Sequence, residues 1–238
     1  MAETPYTPSS SGFTSDSWFI DRFDNYYNYQ GKNGWSTGTS TMVQGSTQPS
    51  DPGGQGYHNC NFYGVAYFDF AALRTKAQTH TPKSIRIWLK SHTSANRTVY
   101  LHMGKGMAKD SYTSGARPTD ATGTSVKTFS IASNAAGEIT ITDTAWLAAL
   151  VDPTTTCIYV NNLESGTKPT DPGAYCEFDG AATGSPPMLY VDWEPKGTVR
   201  YCADGQWKEC EVYYGSGGAW VRVAPHYCTD GTWKPIGG

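Results

Sequence analysis

The sequence predicts an all-β protein: an antiparallel jelly-roll-like β-sandwich with one short helix, followed by a small domain of β-hairpin repeats. Three observations indicate this fold. Many short runs are rich in β-branched and aromatic residues and are bounded by Gly, Pro, Asn or Asp. Only one segment has the features of a helix. The end of the chain repeats one short motif at a fixed spacing.

The predicted elements follow in chain order. Residues 1–16 are rich in Pro, Ser and Thr and lack apolar periodicity, so we expect an arm outside the core. The sandwich is predicted over residues 17–194, beginning with an imperfect alternation at 17–30 and a short run at 41–44. Clearer strand candidates lie at 64–73, 83–92, 97–105, 126–131, 137–142, 157–163, 174–180 and 188–193.

The apolar residues of these runs are the predicted core. They include Phe68, Phe70, Ile85, Ile87, Leu89, Ile141, Val160 and Val191. The helix is predicted over 142–152, where Thr142 or Asp143 can cap its start and Pro153 ends it. This helix is short, and we expect it to connect strands of the sandwich.

Residues 195–238 contain a thirteen-residue repeat. Tyr201, Tyr214 and Tyr227 are thirteen residues apart, and so are Trp207, Trp220 and Trp233. Each repeat has the pattern strand, Gly-containing turn, strand. With a three-residue loop around Gly205, Tyr201 would face Trp207 across the hairpin, and the Tyr and Trp residues would share a face opposite Cys210, Val223 and Ile236. Because a lone hairpin is marginally stable, we expect the three to form one six-stranded meander.

The aromatic residues of the repeat are the candidate binding residues, because aromatic rings offer flat apolar platforms for sugar rings. They are Tyr201, Trp207, Tyr214, Trp220, Tyr227 and Trp233. The alternative interpretation is that these rings pack against each other within the repeat or between subunits. No cofactor is predicted.

Composition and charge argue against several classes of partner. The formal net charge is −3, charged residues make up 16% of the chain, and there is no Lys/Arg run, so nucleic acid binding is not expected. No apolar run approaches the roughly 18 residues that membrane insertion requires. The start lacks a secretory signal, so we expect synthesis and retention in the cytosol, or prior removal of a signal.

No motif for catalysis or metal binding is found. His58, His80, His92, His102 and His226 are dispersed without metal-ligand spacing. Glycoside cleavage requires two carboxyl groups at a defined distance across a cleft. The candidates are Asp21, Asp24, Asp69, Glu177 and Asp179, and the sequence alone does not show that any two of them are close. We therefore predict no enzymatic activity and no metal site. The six cysteines are interpreted as reduced thiols, or alternatively as including a bridge between Cys202 and Cys228.

Two resemblances bear on function. The segments "YCADGQWK" and "YYGSGGAW" resemble the aromatic-Gly-Trp repeats that end structural proteins of tailed bacteriophages and prophages, in tail-tip, tail-fibre and head-fibre chains. The segments "VAYFDFAAL", "KSIRIWLK" and "SPPMLYVDW" are similar to jelly-roll modules of the DNRLRE type in bacterial surface and phage proteins.

These resemblances imply a non-enzymatic virion component that is made in the host cytoplasm and contacts host surface polysaccharide. They also imply a homo-oligomer, with a trimer as one arrangement, mounted on other virion proteins through the N-terminal arm. The alternative function is a secreted carbohydrate-binding or adhesive module at the cell surface. A glycan-cleaving jelly-roll enzyme is a third hypothesis that no residue pattern supports.

Overall fold

The computed structural model describes residues 5–21, 27–36, 40–47, 56–105, 118–162 and 175–196 of the body, together with six short segments of the repeats. These segments are 199–203, 206–210, 213–216, 219–222, 226–229 and 232–235. Within the described residues there are eighteen strands and two helices. None of these helices is long and apolar enough to span a membrane.

The larger sheet has nine antiparallel strands in the described part of the chain. They are β1 (Ser10–Asp21), β2 (Tyr27–Ser36), β3 (Thr41–Thr47), β4 (Gly56–Tyr67), β6 (Arg97–Lys105), β7 (Thr119–Asp120), β8 (Lys127–Ile131), β10 (Thr155–Val160) and β11 (Cys176–Asp179). The main path runs β11-β3-β4-β10-β6-β7, while β1 pairs with β2 and β4, and β8 pairs with β6. Strand β4 is therefore the centre of the sheet, since β1, β3 and β10 all pair with it.

The smaller sheet has three antiparallel strands in the described part of the chain. Its central strand is β5 (His80–Lys90), flanked by β9 (Ala136–Ile141) and β12 (Met188–Pro195). Along β5 the residues Ile85, Ile87 and Leu89 are buried and those between them are half-buried. This period of two is what a strand with a single core-facing side requires.

The core lies between the two sheets. All eight residues predicted for it from the sequence are buried, which confirms that prediction. Among the described residues Trp146 is the largest fully buried side chain, and its indole Nε1 donates a hydrogen bond to the Ser125 carbonyl oxygen over 2.8 Å. An antiparallel, largely β sandwich is thus the observed architecture, as predicted.

The described residues form two helices, where one was predicted. Helix α2 (Thr144–Val151) confirms the predicted helix, and the Asp143 carboxylate caps it by accepting from the amides of Ala145 and Trp146. Helix α1 (Phe70–Ala77) is a correction, because the sequence predicted a strand over 64–73. The strand ends at Tyr67, and the Asp69 carboxylate then accepts from the Ala72 amide over 2.9 Å. The segment FAALRTKA that follows is rich in good helix formers.

The expected N-terminal arm is also corrected. Tyr6 exchanges two backbone hydrogen bonds with Leu189 of β12, at 2.8 and 2.9 Å, and β1 pairs with β4 along its whole length. Ser10 and Ser11 are buried. The prediction that residues 1–16 lie outside the core is therefore wrong for residues 5–16. The segment is polar and lacks apolar alternation, so its sequence did not indicate a strand. It is a strand because it pairs with β4.

The repeats form three hairpins. Their strands are β13 (Val199–Ala203), β14 (Gln206–Cys210), β15 (Tyr213–Ser216), β16 (Ala219–Arg222), β17 (His226–Thr229) and β18 (Thr232–Pro235). In the part of the repeats that the structure describes, each repeat pairs only its own two strands. The result is three two-stranded sheets instead of the expected single six-stranded meander.

Candidate functional site

A second buried cluster lies on the face of the larger sheet that points away from the main core. Strand β6 directs Leu101 and Met103 into the core, and it directs His102 to the opposite side. Strand β10 divides its residues in the same way, and Tyr159 is paired directly with His102. We call the buried set on this side the outer-face cluster, which consists of Tyr63, Val65, Tyr67, Cys157 and Tyr159.

His102 is held from three directions at the edge of the outer-face cluster. Its ring stacks on the Tyr159 ring with centroids 4.5 Å apart and an interplanar angle of 12°. Its Nε2 lies 2.9 Å from the Asn161 carbonyl oxygen, and its Nδ1 lies 2.8 Å from Asp120 Oδ1. A carbonyl oxygen only accepts, so Nε2 carries a proton.

Asp120 connects His102 with Tyr159. The Tyr159 hydroxyl donates to Asp120 Oδ1 over 3.0 Å. Burial raises the pKa of Asp120. The hydrogen bond and the charge of His102, together with the hydrogen bond from the Tyr159 hydroxyl, lower it by more, so the net shift is downwards. Burial, followed by the neighbouring Asp120 charge, raises the pKa of Tyr159. At neutral pH the site therefore contains a carboxylate and an un-ionised phenol.

Two buried amides support this arrangement from below. Asn161 Nδ2 donates to Asn61 Oδ1 over 2.8 Å and to the Phe62 carbonyl oxygen over 2.7 Å. Asn61 Nδ2 in turn donates to the Tyr63 hydroxyl over 3.2 Å. Asn61 and Asn161 are buried, so these hydrogen bonds are shielded from water. The amide network fixes the backbone carbonyl that positions His102.

A cavity of about 460 Å³ opens over these residues. Its lining includes Tyr63, Tyr100, His102, Asp120, Tyr159 and Asn162, and we call it the tyrosine–histidine pocket. Asn162 Oδ1 is buried and accepts no hydrogen bond from any described residue. Val126 also lines the pocket and is 43% exposed, the one large apolar side chain so exposed in the described part of the chain. The pocket thus combines aromatic walls with acceptors that have unused capacity.

The sequence alone did not find this site. His102 was noted only as one of five dispersed histidines, and its partners come from other strands. The available signal was in strand β10 and the residues after it, where Tyr159 and Asn161 alternate with apolar core residues. One side of this strand has apolar residues, and the other has aromatic and amide residues that pair with neighbouring strands. Both faces of such a strand therefore contact other parts of the protein.

The predicted aromatic row of the repeats is corrected by the strand register. Cys202 lies opposite Trp207 and Tyr201 lies opposite Lys208, so Tyr201 is not paired with Trp207. Two residues connect the strands instead of the predicted three, which shifts the pairing by one position. The other hairpins repeat this register, with Gly215 opposite Trp220, Tyr214 opposite Val221, Cys228 opposite Trp233 and Tyr227 opposite Lys234. The prediction that Tyr and Trp occupy register positions of one face is therefore wrong.

The carboxylates considered for catalysis have structural partners where they are described. Asp69 caps helix α1, Asp179 Oδ1 lies 2.7 Å from His92 Nε2, and Glu177 accepts a hydrogen bond from the Tyr175 hydroxyl. The side chains of Asp21 and Asp24 lie outside the described residues. Within the described part of the chain, no group of three or more His, Cys, Asp or Glu side chains is arranged to hold a metal ion.

Three cysteines of the body are free thiols. Cys60 is partly buried, and Cys157 and Cys176 are buried. Burial raises the pKa of Cys157 to about 12, and it also raises those of Cys60 and Cys176. The alternative bridge between Cys202 and Cys228 involves side chains outside the part that the structure describes.

Comparison of the chain with protein-family models and with curated proteins gives no match.

Proposed function

We propose that this chain is a non-enzymatic structural component of a tailed-phage particle that attaches to polysaccharide on the bacterial surface. The observation that carries the proposal is the three-fold repeat. Three consecutive hairpins use the same register, with a Tyr and a Trp at equivalent positions in each. Their sequences resemble those that end phage tail-tip, tail-fibre and head-fibre chains.

Repetition suits attachment to a polymer. A single aromatic residue binds a sugar ring weakly, but linked binding units raise the overall avidity because later contacts become intramolecular. A polysaccharide presents many equivalent sugar rings, so three similar hairpins per chain, multiplied in a homo-oligomer such as a trimer, match it in valency. We therefore assign the contact to the aromatic residues at register positions of both faces of the hairpins, which are Tyr201, Trp207, Tyr214, Trp220, Tyr227 and Trp233.

The attachment to the particle is not assigned to the N-terminal arm. Residues 5–16 pair with β4 and β12, so their backbone hydrogen bonds are already made within the sheets. The surface that binds other virion proteins therefore belongs elsewhere on the chain in this proposal.

A secreted carbohydrate-binding or adhesive module is the second candidate. The tyrosine–histidine pocket favours it, because an aromatic pocket with polar acceptors can bind sugar without a particle. This candidate has the same class of ligand and differs in where the protein is located.

The test is the location of the protein in particles purified from cells that produce it. Particles banded on a density gradient are probed with an antibody against the chain, and immunogold labelling gives its position. Presence in the particle band supports the proposal. Presence in the medium but not in the particle band supports the second candidate. Release of reducing ends from host wall or capsule material by the purified protein would contradict the non-enzymatic assignment.

A further inference from the structure

We propose that the tyrosine–histidine pocket of the body is a second glycan site, separate from the repeats, that binds a neutral sugar residue. The inference rests on the proposed function for its biological setting. Its chemistry is independent of the repeats, because all the residues that carry it lie between positions 61 and 162.

The size of the pocket fits a small ligand. Its volume of about 460 Å³ lies within the roughly 300–1,000 Å³ typical of small-molecule sites. The floor is rigid, because Asn161 holds Asn61 and Phe62 through hydrogen bonds and His102 stacks on Tyr159. A preformed floor reduces the entropy that is lost when a ligand binds.

The free aromatic surface is Tyr100. Tyr159 is covered on one side by His102, and the Tyr63 hydroxyl accepts from Asn61. Tyr100 is half-buried, and its side chain has no hydrogen bond or ring contact with any described residue. Its ring can therefore stack against the C–H face of a pyranose, while the exposed Val126 offers a further apolar contact at the same pocket.

The polar requirement of the pocket is for hydrogen-bond donors. Asn162 Oδ1 is a buried acceptor without a described partner, and a buried unsatisfied acceptor is costly until a ligand supplies a donor. Asp120 Oδ1 lies 2.8 Å from His102 Nδ1 and accepts from the Tyr159 hydroxyl, whereas Oδ2 accepts from no described residue. A ligand with two or more hydroxyl groups satisfies both acceptors, and a sugar has such groups.

The charge of the pocket selects a neutral sugar. Its described lining contains no Lys or Arg, and the one carboxylate, Asp120, is already paired with His102. A uronate or phosphate group would lie near the Asp120 carboxylate, and the described lining offers no Lys or Arg to neutralise it. Hydroxyl groups that donate to Asp120 gain from the same negative charge.

The experiment uses the full chain and saturation-transfer NMR, which detects weak sugar binding. The probes are the methyl glycosides of glucose, galactose, mannose and N-acetylglucosamine, with glucuronic and galacturonic acid as charged comparators. We expect at least one neutral glycoside to bind and the two acids to bind more weakly. Tyr100→Ala should lower the affinity by about tenfold, and Asn162→Leu by a similar factor.

Matched variants separate binding from folding. Tyr190 is a half-buried tyrosine of the smaller sheet, and its ring lies beneath Arg86. Tyr190→Ala should leave sugar binding unchanged. Tyr100→Phe retains the ring and should retain binding, which keeps the inference testable if Tyr100→Ala fails to fold. Trp220→Ala should also leave glycoside binding unchanged, because it alters only the repeats.

The outcomes distinguish the two proposals. Adsorption of the wild-type chain to host cells without binding of any neutral glycoside would overturn the inference and leave the proposed function intact. Glycoside binding that Tyr100→Ala does not weaken would also overturn the inference. Glycoside binding that depends on Tyr100, in a protein absent from particles, would support the inference and contradict the proposed function.

Discussion

The buried amide of Asn161 offers a sharp test of the polar network, because Asn161→Asp keeps the shape of the side chain and removes only its donors. In the wild type, Nδ2 donates to Asn61 Oδ1 and to the Phe62 carbonyl oxygen, at 2.8 and 2.7 Å. In the variant a carboxylate oxygen would face both acceptors. Asn161 is 3% exposed, so water cannot readily replace the lost donors.

The size of the effect follows from two buried acceptors that lose their partners. Each costs about 1–3 kcal/mol, so the free energy of unfolding should fall by roughly 2–6 kcal/mol at pH 7. For a chain of this size that corresponds to a melting temperature lower by roughly 4–24 °C. The introduced carboxyl should have a raised pKa in the folded state. The destabilisation is therefore complete above that pKa and fades as the pH falls towards the unfolded value of about 4.

Urea unfolding followed by tryptophan fluorescence measures this change, because Trp146 is fully buried in the core. The matched control is Asn134→Asp in an exposed turn, where φ is 50° and an Asp is tolerated. It should change the stability by less than about 0.5 kcal/mol. If Asn161→Asp is as stable as this control at pH 7, the amide donors do not hold Asn61 and Phe62, and the reasoning on the network is refuted.

Three further predictions follow from the body. Deleting residues 1–16 should lower the melting temperature by about 10 °C or more, because β4 and β12 lose paired strands; an unchanged melting temperature would restore the arm interpretation. Gly104→Ala should cost about 1–3 kcal/mol and weaken sugar binding, since the new Cβ would lie 2.6 Å from Cys157 Sγ and 2.8 Å from Tyr159 Cδ1. Gly184→Ala, whose Cβ meets nothing within 4 Å, is the control. Cys157 should resist iodoacetamide at pH 8 in the native protein and react in urea, as peptide mass spectrometry would show, and equal labelling in both states would contradict its burial.

The sequence was most informative where apolar residues recur with one clear period. Strand β5 alternates between core and surface, and the predicted run 83–92 overlaps it closely, while the predicted run 97–105 coincides with β6. The core residues followed from the same alternation. Helix α1 was missed because Phe70 continues an apolar run that begins in β4, so the Asp69 cap was read as part of a strand.

The candidate site was less accessible because none of its pairs is local. His102, Asp120 and Tyr159 come from β6, β7 and β10, and only the sheet order makes them neighbours. Spacing along the chain has no information about such a juxtaposition. The repeat, by contrast, was visible from its spacing, although its register depended on a difference of one residue in loop length.

The position of the N-terminal segment has a consequence for how the body is assembled. Tyr6 bonds to β12, which is the last strand of the body, while β1 bonds to β4 of the other sheet. Tyr6 and its partner Leu189 are therefore separated along the chain by almost the whole body. Pairing between residues so far apart along the chain slows folding. The N-terminal segment joins both sheets, and we expect its pairing with β12 to form late in folding.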